Sequence, residues 1–101
     1  MCIRDSCHSA EEELFVVLEG EGLLLLGEEE HAVRRGHVVA RPAGTGVAHA
    51  FRAGEHGLEL LAYGTREPND ICFYPRSNKV FLRGIDLVAR LERLDYWDGE
   101  D

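Results

Sequence analysis

Hydrophobic residues in this chain come in short runs broken by glycine, proline and charge. Leu14–Leu18 and Leu23–Leu26 flank Gly20-Glu21-Gly22, a pattern that predicts two strands joined by a turn. Gly27-Glu28-Glu29 predicts a second turn, before a weak apolar pair at Ala32-Val33. Arg35-Gly36 then introduces His37–Arg41, and Pro42-Ala43-Gly44-Thr45-Gly46 reads as a loop. Val47–Arg52 alternates, Ala53-Gly54-Glu55-His56-Gly57 predicts a hairpin turn, and Leu58–Tyr63 returns as a strand. Ile71–Tyr74 and Val80–Arg83 are shorter strands set off by the loops 64–70 and 75–78. Strands at this spacing, with no helical segment of 10–12 residues between them, predict an all-β antiparallel sandwich or barrel.

The last segment is less one-sided. Apolar residues at 85, 88, 91 and 94 also fit one face of a short helix, although the β surroundings favour a strand. The acidic end, Leu94 to Asp101, carries Tyr96 and Trp97. Two large rings there are expected to pack on the domain or on a partner chain.

Composition narrows the class. With 101 residues, 45% hydrophobic and 30% charged, the chain has the makings of one globular domain. A formal charge of -8 argues against nucleic-acid contact, which needs clustered cations. The longest apolar runs fall far short of the roughly 18 residues of a membrane span. Three cysteines without framework spacing predict a reduced, cytoplasmic protein rather than a disulfide scaffold.

The candidate chemistry lies in His8–Gly20, HSAEEELFVVLEG, and in His49 far downstream. Glu13 begins the strand whose Phe15 and Val17 are expected to face inward, so its carboxylate shares an apolar side. A carboxylate there is costly unless something pairs it, and a cation does so. The alternative is that Glu11, Glu12 and Glu13 form a solvated charge run beside a surface His8; spacing does not decide between the two. Glu11 and Glu12 are read as solvated in either case. His49 shares a strand face with Phe51, where a lone histidine is more often structural than a ligand. Cys7 and Cys72 read as buried packing residues, and His31, His37 and His56 as surface. Arg41, Phe51 and Tyr63 are candidates to line a pocket.

These segments resemble the two motifs of the cupin superfamily of double-stranded β-helix (jelly-roll) barrels. His8, Glu13 and Gly20 match the first motif, with Ser6 where its first histidine belongs. Gly36, Pro42, Gly44 and His49 match the second, although the gap before His49 is longer and Ala53 replaces the final Asn. GTREPND and YPRSNK are similar to bacterial cupins grouped with mannose-6-phosphate isomerase. The resemblance implies His8, Glu13 and His49 as ligands of a divalent transition metal (Mn, Fe, Ni, Cu or Zn), weakened or absent with Ser6 as fourth position. It also implies a small-molecule ligand or substrate, isomerase-like chemistry and a homodimer. An Fe-dependent dioxygenase and the sensor module of a transcription regulator are the alternatives.

Such barrels begin with strands ahead of the first motif, so the resemblance implies that this chain lacks its N-terminal strands. Residues 1–5 resemble the translation of a sequencing-library adapter, ATG TGT ATA AGA GAC AG. On that reading residues 1–6 are a non-native segment and 7–101 the single domain. Ser6 is then a hybrid codon, and a native His at that position is compatible with its third base.

Overall fold

The structure, a computed structural model, describes residues 5–100. It is all-β apart from one short 3-10 turn. The strands are β1 (Cys7–His8), β2 (Glu13–Leu26), β3 (Glu29–Arg34), β4 (Val38–Arg41), β5 (His49–Gly64), β6 (Ile71–Tyr74), β7 (Lys79–Leu82) and β8 (Leu87–Arg90). One antiparallel sheet has the order β1-β6-β7-β8. In the other, β2 is central, with β5 along one edge and β3 and β4 end to end along the other.

Two of the expected turns are not turns. Gly20-Glu21-Gly22 lies inside β2 and Ala53–Gly57 inside β5, and the two stretches face each other across a ladder that shifts register at Val17/Glu19 and Gly20/Gly22. A Cβ on Gly20 would lie 2.2 Å from the Gly57 carbonyl oxygen, and one on Gly22 would lie 2.3 Å from that of Arg52. These glycines are required by close backbone approach at an irregular crossing, not by chain reversal.

The irregularity folds the ribbon over. At about 3.3 Å per residue, β2 laid straight would span roughly 45 Å. Yet the ring of Phe15, near its start, lies 5.3 Å from the ring of His49, whose backbone pairs with Leu26 at its far end. The β2–β5 ribbon therefore bends back at its glycines into two layers. The near layer holds residues 13–17, 58–64 and β4; the far layer holds residues 22–26, 49–53 and β3. Hydrogen bonds from Val17 N to His37 O and from Gly36 N to Val17 O, both 2.9 Å, hold the β3–β4 link against the bend.

Between the layers, Val17, Leu24 and Val33 form a buried cluster against which Leu26, Val39, Phe51, Leu58 and Leu60 pack. Side chains alternate along β2: Phe15 and Val17 point in and Leu14 points out, the period-two pattern of a half-buried strand. The second sheet buries Cys72 and Val80.

Toward the C-terminus the β alternative holds in part. Arg83–Ile85 is a 3-10 turn, Asp86 takes a left-handed conformation (φ 51°), and Leu87–Arg90 pairs with β7. Tyr96 and Trp97 do not pack on the domain: their rings stack edge to face on each other, centroids 5.0 Å apart, and Trp97 is 70% exposed. No helix among the described residues is long and apolar enough to cross a membrane.

Candidate metal centre

His8 ends β1 directly opposite Cys72 of β6, and the preceding Ser6 forms a backbone bridge with His49, Ser6 N to His49 O at 3.3 Å and His49 N to Ser6 O at 3.0 Å. Glu13 opens β2 between Arg41 and Gly64. The fold-over of the ribbon carries His49 from the far layer onto Glu13 in the near one. Glu13 Oε1 lies 3.4 Å from His8 Nε2 and 3.7 Å from His49 Nε2; both imidazoles are buried and the Glu13 side chain is 11% exposed. The ring of Phe15 from the near layer and that of Phe51 from His49's own strand back the His49 imidazole.

The other face of His8 is fixed by a residue that the sequence did not single out. Asp70, 1% exposed, accepts a 2.6 Å hydrogen bond from His8 Nδ1 through Oδ2. Its Oδ1 accepts from the backbone N–H groups of Ala10 and Glu11, at 3.0 and 2.9 Å. With Nδ1 directed at the Asp70 carboxylate, Nε2 is the nitrogen turned toward Glu13. This is the carboxylate–histidine arrangement that orients imidazole ligands in metal proteins.

Glu11 is a correction. The expected solvated glutamate is buried, accepts a 3.2 Å hydrogen bond from Glu67 N, and pairs with Arg83. Glu12 is exposed as expected, its N–H donating to Thr65 Oγ1. Neither Asp70 nor Glu11 carried a local signal, because the partners that fix them lie 56 to 72 residues away. Arg83, expected to end a strand, instead opens the 3-10 turn and pairs with Glu11.

The remaining candidates divide. Tyr63 lines a cavity of about 190 Å³ that is also lined by His8, Glu11, Glu13, Thr65, Arg66 and Arg83. Arg41 lines a much smaller space of about 10 Å³ that shares His8, Glu11 and Glu13 with the first and adds His49. Arg41 Nη2 donates to Thr45 Oγ1 and Val47 O, while its buried Nε has no hydrogen-bond partner among the described residues. Phe51 packs between Phe15 and the apolar cluster. Cys7 is half-buried rather than fully buried, and burial, reinforced by Asp5 and opposed by Arg41, pushes its thiol pKa up. Cys72 is buried, its Sγ 4.0 Å from His8 Nε2.

Residues 3–62 match the family model of the cupin domain. The chain belongs to the cupin family. Two solved structures share its fold. One, provisionally named a sugar phosphate isomerase, from Acidithiobacillus ferrooxidans, is 26% identical with a TM-score of 0.78, over 90% of this chain and 63% of that one. The other, a cupin-superfamily sugar phosphate isomerase from Silicibacter pomeroyi, is 27% identical with a TM-score of 0.72, over 76% of this chain and 50% of that one. The cupin chain described here thus spans about half to two thirds of the length of these relatives. No curated protein matches it.

Cupins typically bind a metal, and the donor chemistry at this centre can be tested against one. His8, Glu11 and Asp70 offer ligand-type atoms within 4.8 Å of one another, a group that could hold a cation. Two ligand atoms each about 2.1 Å from one ion stand about 3.0–3.4 Å apart at octahedral to tetrahedral angles. The 2.6 Å contact from His8 to Asp70 is shorter and is a hydrogen bond, and Glu11 is committed to Arg83. The 3.4 and 3.7 Å separations on the Nε2 side are within a few tenths of an ångström of that range. Ser6, wholly buried, also has an Oγ without a hydrogen-bond partner among the described residues. Two imidazoles and a carboxylate are the donors that first-row divalent ions take.

Proposed function

We propose that this cupin domain binds a divalent transition metal through His8, Glu13 and His49, and uses it to bind and transform a small polar metabolite of the sugar-derivative class. The observation that carries this reading is the convergence of both Nε2 atoms on Glu13 Oε1, with Asp70 holding the proton of His8 on the opposite nitrogen. When bound, such a metal supplies Lewis acidity toward a carbonyl or hydroxyl oxygen. The chain's own residues do the rest. Asp70 fixes the ring of His8, Phe15 and Phe51 fix that of His49, and the 190 Å³ cavity admits one small molecule beside Glu13. The names of the two structural relatives support isomerisation of a sugar derivative as the reaction.

The test is elemental analysis and calorimetric titration of the purified chain with Mn, Fe, Ni, Cu and Zn salts. Near-stoichiometric binding that is abolished in Glu13→Gln and His49→Ala is expected. Stoichiometric metal retained by both variants would overturn the ligand set. If Ser6 stands where a histidine belongs, Ser6→His tightens binding, read in the same titration.

A further inference from the structure

We propose that Arg66 recognises an anionic group on the ligand of this cavity, so that the ligand is a small hydroxylated compound bearing a phosphate or a carboxylate. This rests on the metal-binding reading of the same site. The backbone on both sides of Arg66 is pinned. Thr65 N donates to Glu12 O at 3.0 Å, and Thr65 Oγ1 accepts from Glu12 N at 2.9 Å. Glu67 N donates to Glu11, and Glu67 O accepts from Asp70 N at 3.1 Å and from Arg83 Nη1 at 3.3 Å. Between these anchors Arg66 lines the cavity with its side chain exposed and without a hydrogen bond or ion pair among the described residues. A guanidinium on a fixed rim loses little backbone freedom on binding, and its planar fork fits phosphate or carboxylate oxygens in pairs.

Charge points the same way. Of the charged residues lining the cavity, Glu11 and Arg83 satisfy each other, which leaves Glu13 and Arg66. A divalent ion on Glu13 makes the lining net positive, and it stays so when Asp70 behind His8 is counted. In a chain of formal charge -8 this is a local cationic pocket, which favours an anion over a neutral sugar. Its volume of about 190 Å³ suits a small ligand or one end of a larger one.

The experiment titrates the Mn-loaded protein with inorganic phosphate in one arm and glycolate in the other, for wild type, Arg66→Gln and Arg66→Lys. Arg66→Gln is expected to weaken the anion that wild type binds by about tenfold, with metal affinity unchanged and Arg66→Lys intermediate. The tighter arm names the anion. Wild type binding neither anion, or Arg66→Gln binding both as wild type does, would overturn the proposal. If wild type takes up no metal, the reading of the metal centre fails. The same titrations on metal-free protein then still decide whether anion binding depends on Arg66.

Discussion

The two ends of the space inside the folded ribbon share strand β2 and could hardly differ more. At one end Val17, Leu24 and Val33 meet across the layers as a dry aliphatic cluster. At the other, His8, Glu13, His49 and Asp70 crowd a buried polar knot. The aliphatic end is held by area removed from water, which is tolerant of detail. The polar end is held by directed bonds, where a missing partner leaves a buried group uncompensated. One bend serves both, because folding the ribbon at Gly20 and Gly22 brings Val17 onto Leu24 at one end and Glu13 onto His49 at the other.

Breaking the bend should therefore remove the contrast altogether. Gly22→Val drives a side chain into the Arg52 carbonyl, and the expected loss is about 4 kcal/mol or more, seen as loss of cooperative melting by circular dichroism. Retention of a wild-type melt would show that the ribbon has another way to fold. Val17→Ala attacks the aliphatic end alone. It should lower stability by about 2 kcal/mol in urea unfolding while the folded protein keeps its metal affinity.

Asp70→Asn attacks the polar end from behind. It should cost about 1–3 kcal/mol and weaken metal binding about 10- to 100-fold, because the hold on the tautomer of His8 is lost. A stability loss with metal affinity intact would reduce Asp70 to a structural role. Glu13→Gln sharpens the comparison in the opposite sense. Metal-free stability should change by less than about 1 kcal/mol, since a buried carboxylate is costly there without a cation, while the rise in melting temperature on adding metal disappears.

The smallest expected effect is at Cys7, which borders the polar end. Its thiol pKa is raised, so the thiol stays protonated to higher pH. Alkylation by iodoacetamide, followed by peptide mass spectrometry, should be slower than for an ordinary cysteine at neutral pH and climb only at higher pH. A rate profile matching an unperturbed thiol would place Cys7 in open solvent.

Much of this was legible in the chain itself. Alternating runs such as Leu14–Leu18 and Leu58–Tyr63 marked real strands, and the spacing of His8, Glu13 and His49 within two motifs picked out side chains that meet in space. The glycine stretches were misread because glycine marks both chain reversal and close backbone approach, and only the partner strand distinguishes them. Asp70 and Glu11 were hidden for a related reason. An aspartate in a loop and a glutamate in an acidic run look solvated until a distant segment covers them. Local pattern reports which face a residue presents, not what arrives to meet it.

The pairing of His8 with Asp70 and Cys72 also sets a timetable. His8 lies near the start of the described chain, whereas its orienting carboxylate and its facing strand are encoded more than sixty residues later. During synthesis His8 can therefore meet Asp70 and Cys72 only after β6 has left the ribosome, and contacts of such long sequence separation slow folding. On the metal-binding reading proposed above, an ion captured earlier would meet His8 before its orienting carboxylate is in place.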